Sequence, residues 1–177
     1  NIQFMAEKLL ERAKKDFDIK GGQIIVIDPN SGKILALADF PGFDPNNYSE
    51  INDFKKFQDS AIQKLFEPGS VFKAITMAAA LDQNKITPQT TYIDTGQVKI
   101  GKNIIYNYDK RAFGRQTMTN VLEKSINSGA VFAENQLGNN LFLDYINRFE
   151  FFKPTGIDLQ GEVFSQNKEF KKGYEIN

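Results

Sequence analysis

The chain has 177 residues, with 22 basic and 22 acidic side chains, 41% hydrophobic residues, no cysteine and no histidine. That length and composition fit one ordinary soluble domain with a real core. Balanced charge leaves no electrostatic footprint for nucleic acid, and the missing residue types exclude a cysteine nucleophile, disulfides, Ser-His-Asp arrangements and the usual zinc sites.

A base for any nucleophile here must therefore come from Lys, Asp, Glu or Tyr. Sixteen phenylalanines and no tryptophan predict a Phe-rich core. No apolar run reaches the ~18 residues of a membrane span. The sequence opens at Asn1 without methionine, so the expectation is a processed or excised piece from which an upstream signal or anchor would be missing.

In chain order, Ile2, Met5, Leu9, Ala13 and Phe17 share one face of a predicted amphipathic helix over 2–17. Two β-rich runs, Gln23–Ile27 and Lys33–Asp39, flank DPNSG and predict a hairpin. Residues 41–49 read as a loop and Glu50–Phe57 as a short helix. After Pro68-Gly69, residues Ser70–Gln83 predict a helix apolar nearly all round, hence buried. QVKIGKNIIYNY predicts a second hairpin turning at Gly101-Lys102. Asp109, Lys110 and Arg111 read as a solvated loop. Thr119 is placed as the cap of a helix over Asn120–Lys124. Helices follow from about Gly129 to Leu137 and from Asn140 to Phe149, then PTGIDL as a turn into a short strand. The polar tail SQNKEFKKGYEIN is expected to fray. The whole is an α+β pattern, a sheet covered by helices.

The chemistry concentrates in KLFEPGSVFKAITMAAAL. Helical spacing places Ser70 and Lys73 side by side near a helix N-terminus. Burial and the helix dipole both disfavour an ammonium there. A neutral Lys73 would take the Ser70 proton, and the Ser70 backbone N–H would face an oxyanion. The spacing alone also fits an N-cap serine with a snorkelling lysine. Ser165 and Lys168 repeat the pattern in polar surroundings without a Pro-Gly lead-in. A second candidate is KSINSG, where Ser125 and Asn127 stand two apart between predicted helices. A hydroxyl there can shuttle a proton and an amide can hold a peptide carbonyl, though both residue types are also ordinary in turns.

Together, EPGSVFK and Ser125-x-Asn127, 55 residues after Ser70, resemble the penicillin-binding protein transpeptidases, more closely the class B enzymes of septal or elongation cell-wall synthesis. GGQIIVIDPNSGKILALADFPGFDPN, ITPQTTYIDTGQVKIG, GRQTMTNVLEKSINSGAVFAENQLG and RFEFFKPTGIDLQGE extend the resemblance over nearly the whole chain. It implies a β-lactamase/transpeptidase-like fold, with a helical cluster beside the covered sheet, incomplete here. It implies Ser70 as the nucleophile on the D-Ala–D-Ala bond of a stem peptide and Lys73 as its general base. Ser125 would relay a proton to the departing D-Ala, and Asn127 would bind the substrate amide. Implied partners are peptidoglycan stem peptides, β-lactams and other cell-wall synthesis or division proteins, with no nucleic acid. No metal or organic cofactor is implied. The implied location is the extracytoplasmic side of the cytoplasmic membrane, behind an N-terminal anchor absent from this chain. The family's third motif, Lys-Thr/Ser-Gly, does not occur, since Lys153-Pro154-Thr155-Gly156 carries an extra proline. The resemblance therefore makes residues 1–177 the N-terminal portion of a transpeptidase domain, poorly active alone. Serine β-lactamases and D,D-carboxypeptidases share the two motifs, and a non-catalytic sensor or scaffold could keep the fold.

Overall fold

The computed structural model describes residues 1–166. The Lys168 half of the Ser165 pattern and all but the first two residues of the predicted frayed tail lie outside the described residues. Two compact units divide the chain, one from Asn1–Leu65 with Pro154–Val163, the other from Phe66–Lys153 and from Phe164 onward.

In the first unit, helix α1 (Ile2–Phe17) lies on a hairpin of β1 (Gly22–Ile27) and β2 (Ile34–Phe40). The hairpin is antiparallel, with a register irregularity between Val26 and Ile27. The buried stripe of α1 is not the predicted one. Ala6 and Leu10 are buried against Ala36 and Ala38, whereas Ile2, Met5, Leu9 and Phe17 are exposed. The cause is Gln3. Its side-chain amide donates to the Leu37 carbonyl at 2.9 Å and accepts from the Leu37 N–H at 2.8 Å. That exchange satisfies both backbone groups of Leu37, as a neighbouring strand would. It turns Gln3 inward and with it the small Ala6, which permits close helix–sheet approach.

The predicted helix over Glu50–Phe57 is instead one 3₁₀ turn, Phe54–Phe57, and the predicted loop 41–49 runs into another, Pro45–Glu50; Asp53 and Asp44 side chains open them. A short helix α2 (Ser60–Gln63) is fixed to β2 by Asp39, which accepts from the Ser60 N–H and hydroxyl. The PTGIDL segment forms no strand; Glu162 accepts from the Thr155 and Gly156 N–H groups and closes it as a turn.

The second unit is a helical cluster with two antiparallel ladders. Its helices are α3 (Lys73–Asp82), α4 (Met118–Glu123), α5 (Asn127–Leu137) and α6 (Asn139–Arg148). Strand β3 (Thr91–Asp94) pairs with β6 (Gly114–Thr117). Between them β4 (Gln97–Ile100) and β5 (Asn103–Tyr106) form the predicted hairpin about Gly101-Lys102. The β3–β6 ladder went unpredicted because its strands are four residues each and β6, Gly-Arg-Gln-Thr, has no apolar residue. Helix α4 is capped by Thr117, not Thr119. Thr117 and Asn120 form a reciprocal capping box, while the Thr119 hydroxyl donates to the Pro88 carbonyl.

The core of this unit is built on Met77, Ala79, Ala80, Ile86, Met118, Val121, Ile126, Ala133, Leu137, Phe142, Tyr145 and Ile146. It is not Phe-rich: Phe142 is the one phenylalanine among these buried residues, and Phe72, Phe113, Phe132 and Phe152 pack at its margin. Helix α3 buries one side only, since Ala74, Ala78 and Leu81 are exposed. Gly129 is dictated by close approach of α4 and α5. A Cβ there would stand 2.3 Å from Val121 Cγ2 and 2.7 Å from the Tyr92 hydroxyl.

Candidate active site

Ser70 does not sit on an α-helix. It lies in a 3₁₀ turn, Gly69–Phe72, that leads into α3. Gly69 enters this turn at φ 61°, a conformation glycine adopts without steric cost. In a 3₁₀ turn residues i and i+3 eclipse one another. Lys73 therefore stands directly over Ser70, its Nζ 3.2 Å from Ser70 Oγ.

The same amine reaches 52 residues onward. Lys73 Nζ lies 2.9 Å from Ser125 Oγ and 2.6 Å from the Ser125 carbonyl. Three partners match the three N–H bonds of an ammonium. Only the carbonyl is confined to accepting. The two hydroxyls can donate as well, so a neutral amine also fits, with its lone pair turned to one of them. Lys73 is 9% exposed, and burial pushes its amine below the ordinary lysine range. Burial is the cause of that shift.

Ser125 owes its position to the end of α4. The Ile126 N–H bonds the Val121 carbonyl and the Ser125 N–H bonds the Leu122 carbonyl, which is the Schellman pattern. Glycine is usual at its left-handed position, yet Ser125 holds it at φ 53°. Ile126, fully buried, anchors the far side of the turn. Asn127 then opens α5, and its side-chain amide donates to the Tyr106 carbonyl at 2.8 Å. Ser70, Ser125 and Asn127 line one cavity of about 490 Å³ with Tyr106, Asn107, Tyr108 and Lys124. The structure thus brings together all four residues singled out in the sequence. Lys73 is the one that does not form the cavity wall itself.

Asp94, Asn107 and Ser128 have no counterpart among the sequence candidates. Asp94 is buried and accepts from Ser128 Oγ at 2.5 Å, Phe113 N at 2.8 Å, Asn107 Nδ2 at 2.9 Å and Gly96 N at 3.0 Å. Burial alone would raise its carboxyl, but these hydrogen bonds outweigh it and hold the group below the usual carboxylate range. Asp109–Arg111 is the exposed stretch expected, its ion pair at 3.5 Å solvated on both sides. Among the described residues no group of three or more acidic side chains gathers as metal ligands would.

A family described as the penicillin binding protein transpeptidase domain matches residues 22–177. The chain belongs to that family. Stage V sporulation protein D of Bacillus subtilis is 32% identical over 162 residues, covering 91% of this chain and 25% of the relative. The probable peptidoglycan D,D-transpeptidase PbpC of Pseudomonas aeruginosa is 33% identical, covering 91% and 28%. The transpeptidase-domain chain thus spans roughly a quarter of the length of these curated relatives. A solved structure titled a putative peptidoglycan glycosyltransferase, from Atopobium parvulum, superposes with a TM-score of 0.80 at 32% identity, over 92% of this chain and 38% of that one. The transpeptidase domain of Burkholderia pseudomallei penicillin-binding protein 3 gives 0.79 at 23% identity, over 96% and 46%, a likeness of fold.

Proposed function

We propose that this chain carries two of the catalytic motifs of a peptidoglycan D,D-transpeptidase that works through a Ser70 acyl-enzyme. One observation carries the reading: a single buried amine lies within hydrogen-bond reach of two hydroxyls from distant segments. In this reading Lys73, neutral, takes the proton from Ser70 Oγ as that oxygen attacks the carbonyl of the D-Ala–D-Ala bond. The Ser70 N–H faces the oxyanion. The proton now on Lys73 passes to Ser125 Oγ, while Ser125 gives its own to the departing D-Ala amine. The C–N bond breaks and the acyl group stays on Ser70. An amine of a neighbouring stem peptide then attacks the ester, returns its proton through the same pair and releases Ser70. Asn127 binds the substrate amide, its carboxamide oriented by the bond to Tyr106.

β-Lactams acylate Ser70 in place of the stem peptide. In this reading residues 1–177 are the N-terminal portion of a transpeptidase domain, whose site a Lys-Thr/Ser-Gly motif completes. The domain acts on the extracytoplasmic face of the cytoplasmic membrane, with other cell-wall synthesis or division proteins as partners.

The test is intact mass after penicillin treatment of the natural protein, with Ser70→Ala beside it. A long-lived adduct that maps to Ser70 and vanishes in the variant is expected. A rapidly hydrolysed adduct favours a β-lactamase or carboxypeptidase instead. No adduct from the folded natural protein overturns the catalytic reading and leaves a sensor or scaffold.

A further inference from the structure

The geometry points to Asp94 as the positioning residue of the Ser125–Asn127 turn, acting through Asn107 and Ser128. The effect of Asp94 on acylation rests on the proposed transpeptidase function; its hold on the turn does not.

Helix α5 needs a cap at its N-terminus. Its first N–H groups have no intrahelical acceptor, and the residue before it, Ile126, makes no side-chain cap. The cap comes from far upstream. Asn107 Oδ1 accepts from the Ser128 N–H at 3.0 Å. Asn107 can do this only if its carboxamide is held oxygen-first toward α5. Its Nδ2 is therefore committed the other way, to both Asp94 oxygens at 2.9 Å and to the Arg111 carbonyl at 2.9 Å. Asp94 also takes the Ser128 hydroxyl. Ser128 is thus gripped at its N–H and its side chain by two residues that are bonded to each other.

The consequence reaches the site in two ways. Asn127 precedes Ser128 on the same helical turn, and its amide bonds the carbonyl of Tyr106, the residue before Asn107. Both ends of that bond are fixed by neighbours that answer to Asp94. Ser125, two residues earlier, is held in its left-handed conformation between the end of α4 and this anchored start of α5. A loosened Ser128 would free the turn that brings Ser125 to Lys73.

Asp94→Asn is a sharp probe. Asp94 Oδ1 accepts from Gly96 N, Ser128 Oγ and Asn107, and Oδ2 from Phe113 N and Asn107. Either orientation of the new amide sets an NH2 against a backbone N–H donor, so the network cannot re-form by a flip.

The experiment uses the natural protein, with Ser70→Ala alongside. Hydrogen exchange is followed at amides 126–130, and the penicillin acylation rate at saturation is measured per folded molecule, well below the melting temperature. Asp94→Asn is expected to speed exchange at 126–130 by about tenfold or more relative to the amides of α3. Acylation should slow about ten- to a hundredfold, the scale set by a displaced catalytic group. Exchange unchanged at 126–130 overturns the inference, as does a full acylation rate in a variant whose melting temperature alone has dropped. If unmodified protein is not acylated, the catalytic reading fails, and the exchange data still decide the positioning. Should Asp94→Asn not fold, Ser128→Ala keeps Asp94, Asn107 and the backbone cap. It is then expected to speed exchange at the same amides and slow acylation about threefold, and unchanged values for both overturn the proposal.

Discussion

Replacing Ser125 by glycine and, separately, by alanine separates what the backbone needs from what the chemistry needs. Ser125 stands at φ 53°, a conformation that costs an L-residue roughly 1–2 kcal/mol. Glycine escapes that cost but gives back roughly 0.4–1 kcal/mol through the freedom it adds to the unfolded chain. Both variants lose the hydroxyl 2.9 Å from Lys73 Nζ, so the difference between them isolates the backbone. Ser125→Gly should be about 1 kcal/mol more stable than Ser125→Ala, or roughly 2–4 °C in melting temperature for a domain of about 150–250 residues. Both should acylate about 10²- to 10⁴-fold more slowly, the usual worth of a positioned proton carrier. Thermal melting by circular dichroism and stopped-flow acylation by a fluorescent penicillin, on the natural protein, give the two readings. Alanine melting at or above glycine would refute the strain. A glycine variant that keeps its acylation rate would refute the role of the hydroxyl.

Acylation should rise with pH as Lys73 loses its proton, with a midpoint below the ordinary lysine range because burial disfavours the ammonium. A midpoint at or above that range contradicts the burial argument, and Lys73→Arg should remove the rise altogether. The same depression carries a sign for stability. Between the folded and unfolded lysine pKa the unfolded chain binds more protons, so Lys73 makes the fold more stable as pH climbs through that window; denaturant melts at stepped pH check the direction. Gly129→Ala gains about 1 kcal/mol of helix propensity, but its Cβ meets Val121 and Tyr92 at 2.3–2.7 Å. Overpacking of about 1–3 kcal/mol should win, lowering the urea midpoint. Thr117→Ala should cost about 1 kcal/mol by opening the capping box of α4, whereas Thr119→Ala should cost less; equal losses would contradict the cap assignment.

The pair Ser70–Lys73 was legible because its geometry is local: three residues apart suffices whether the turn is α or 3₁₀. Ser125-x-Asn127 was legible as a turn between helices, but its grip on Lys73 was not, because that contact spans 52 residues. Asp94, Asn107 and Ser128 left no local trace. They lie 13 and 21 residues apart in sequence, and each alone is ordinary for its place at a strand end, in a loop or in a first helical turn. The hairpins and the order of helices followed from turn chemistry and period. The inward face of α1 did not, because the hydrophobic pattern is silent on a glutamine that serves as a strand partner. For the same reason composition misled about the core: sixteen phenylalanines are many, but alanine, isoleucine and methionine fit the narrow space between closely packed helices.

Two contacts that shape the site are made by main-chain oxygens. Lys73 leans on the carbonyl of Ser125, and Asn127 on the carbonyl of Tyr106. A carbonyl survives any substitution that leaves the backbone path alone. Tyr106, half out of the surface, and Tyr108, 85% exposed, both line the cavity. Their rings are therefore open to evolutionary drift in a way that the amine and hydroxyls are not. The rim of this cavity can be redrawn, one aromatic at a time, without touching the bonds that hold its floor.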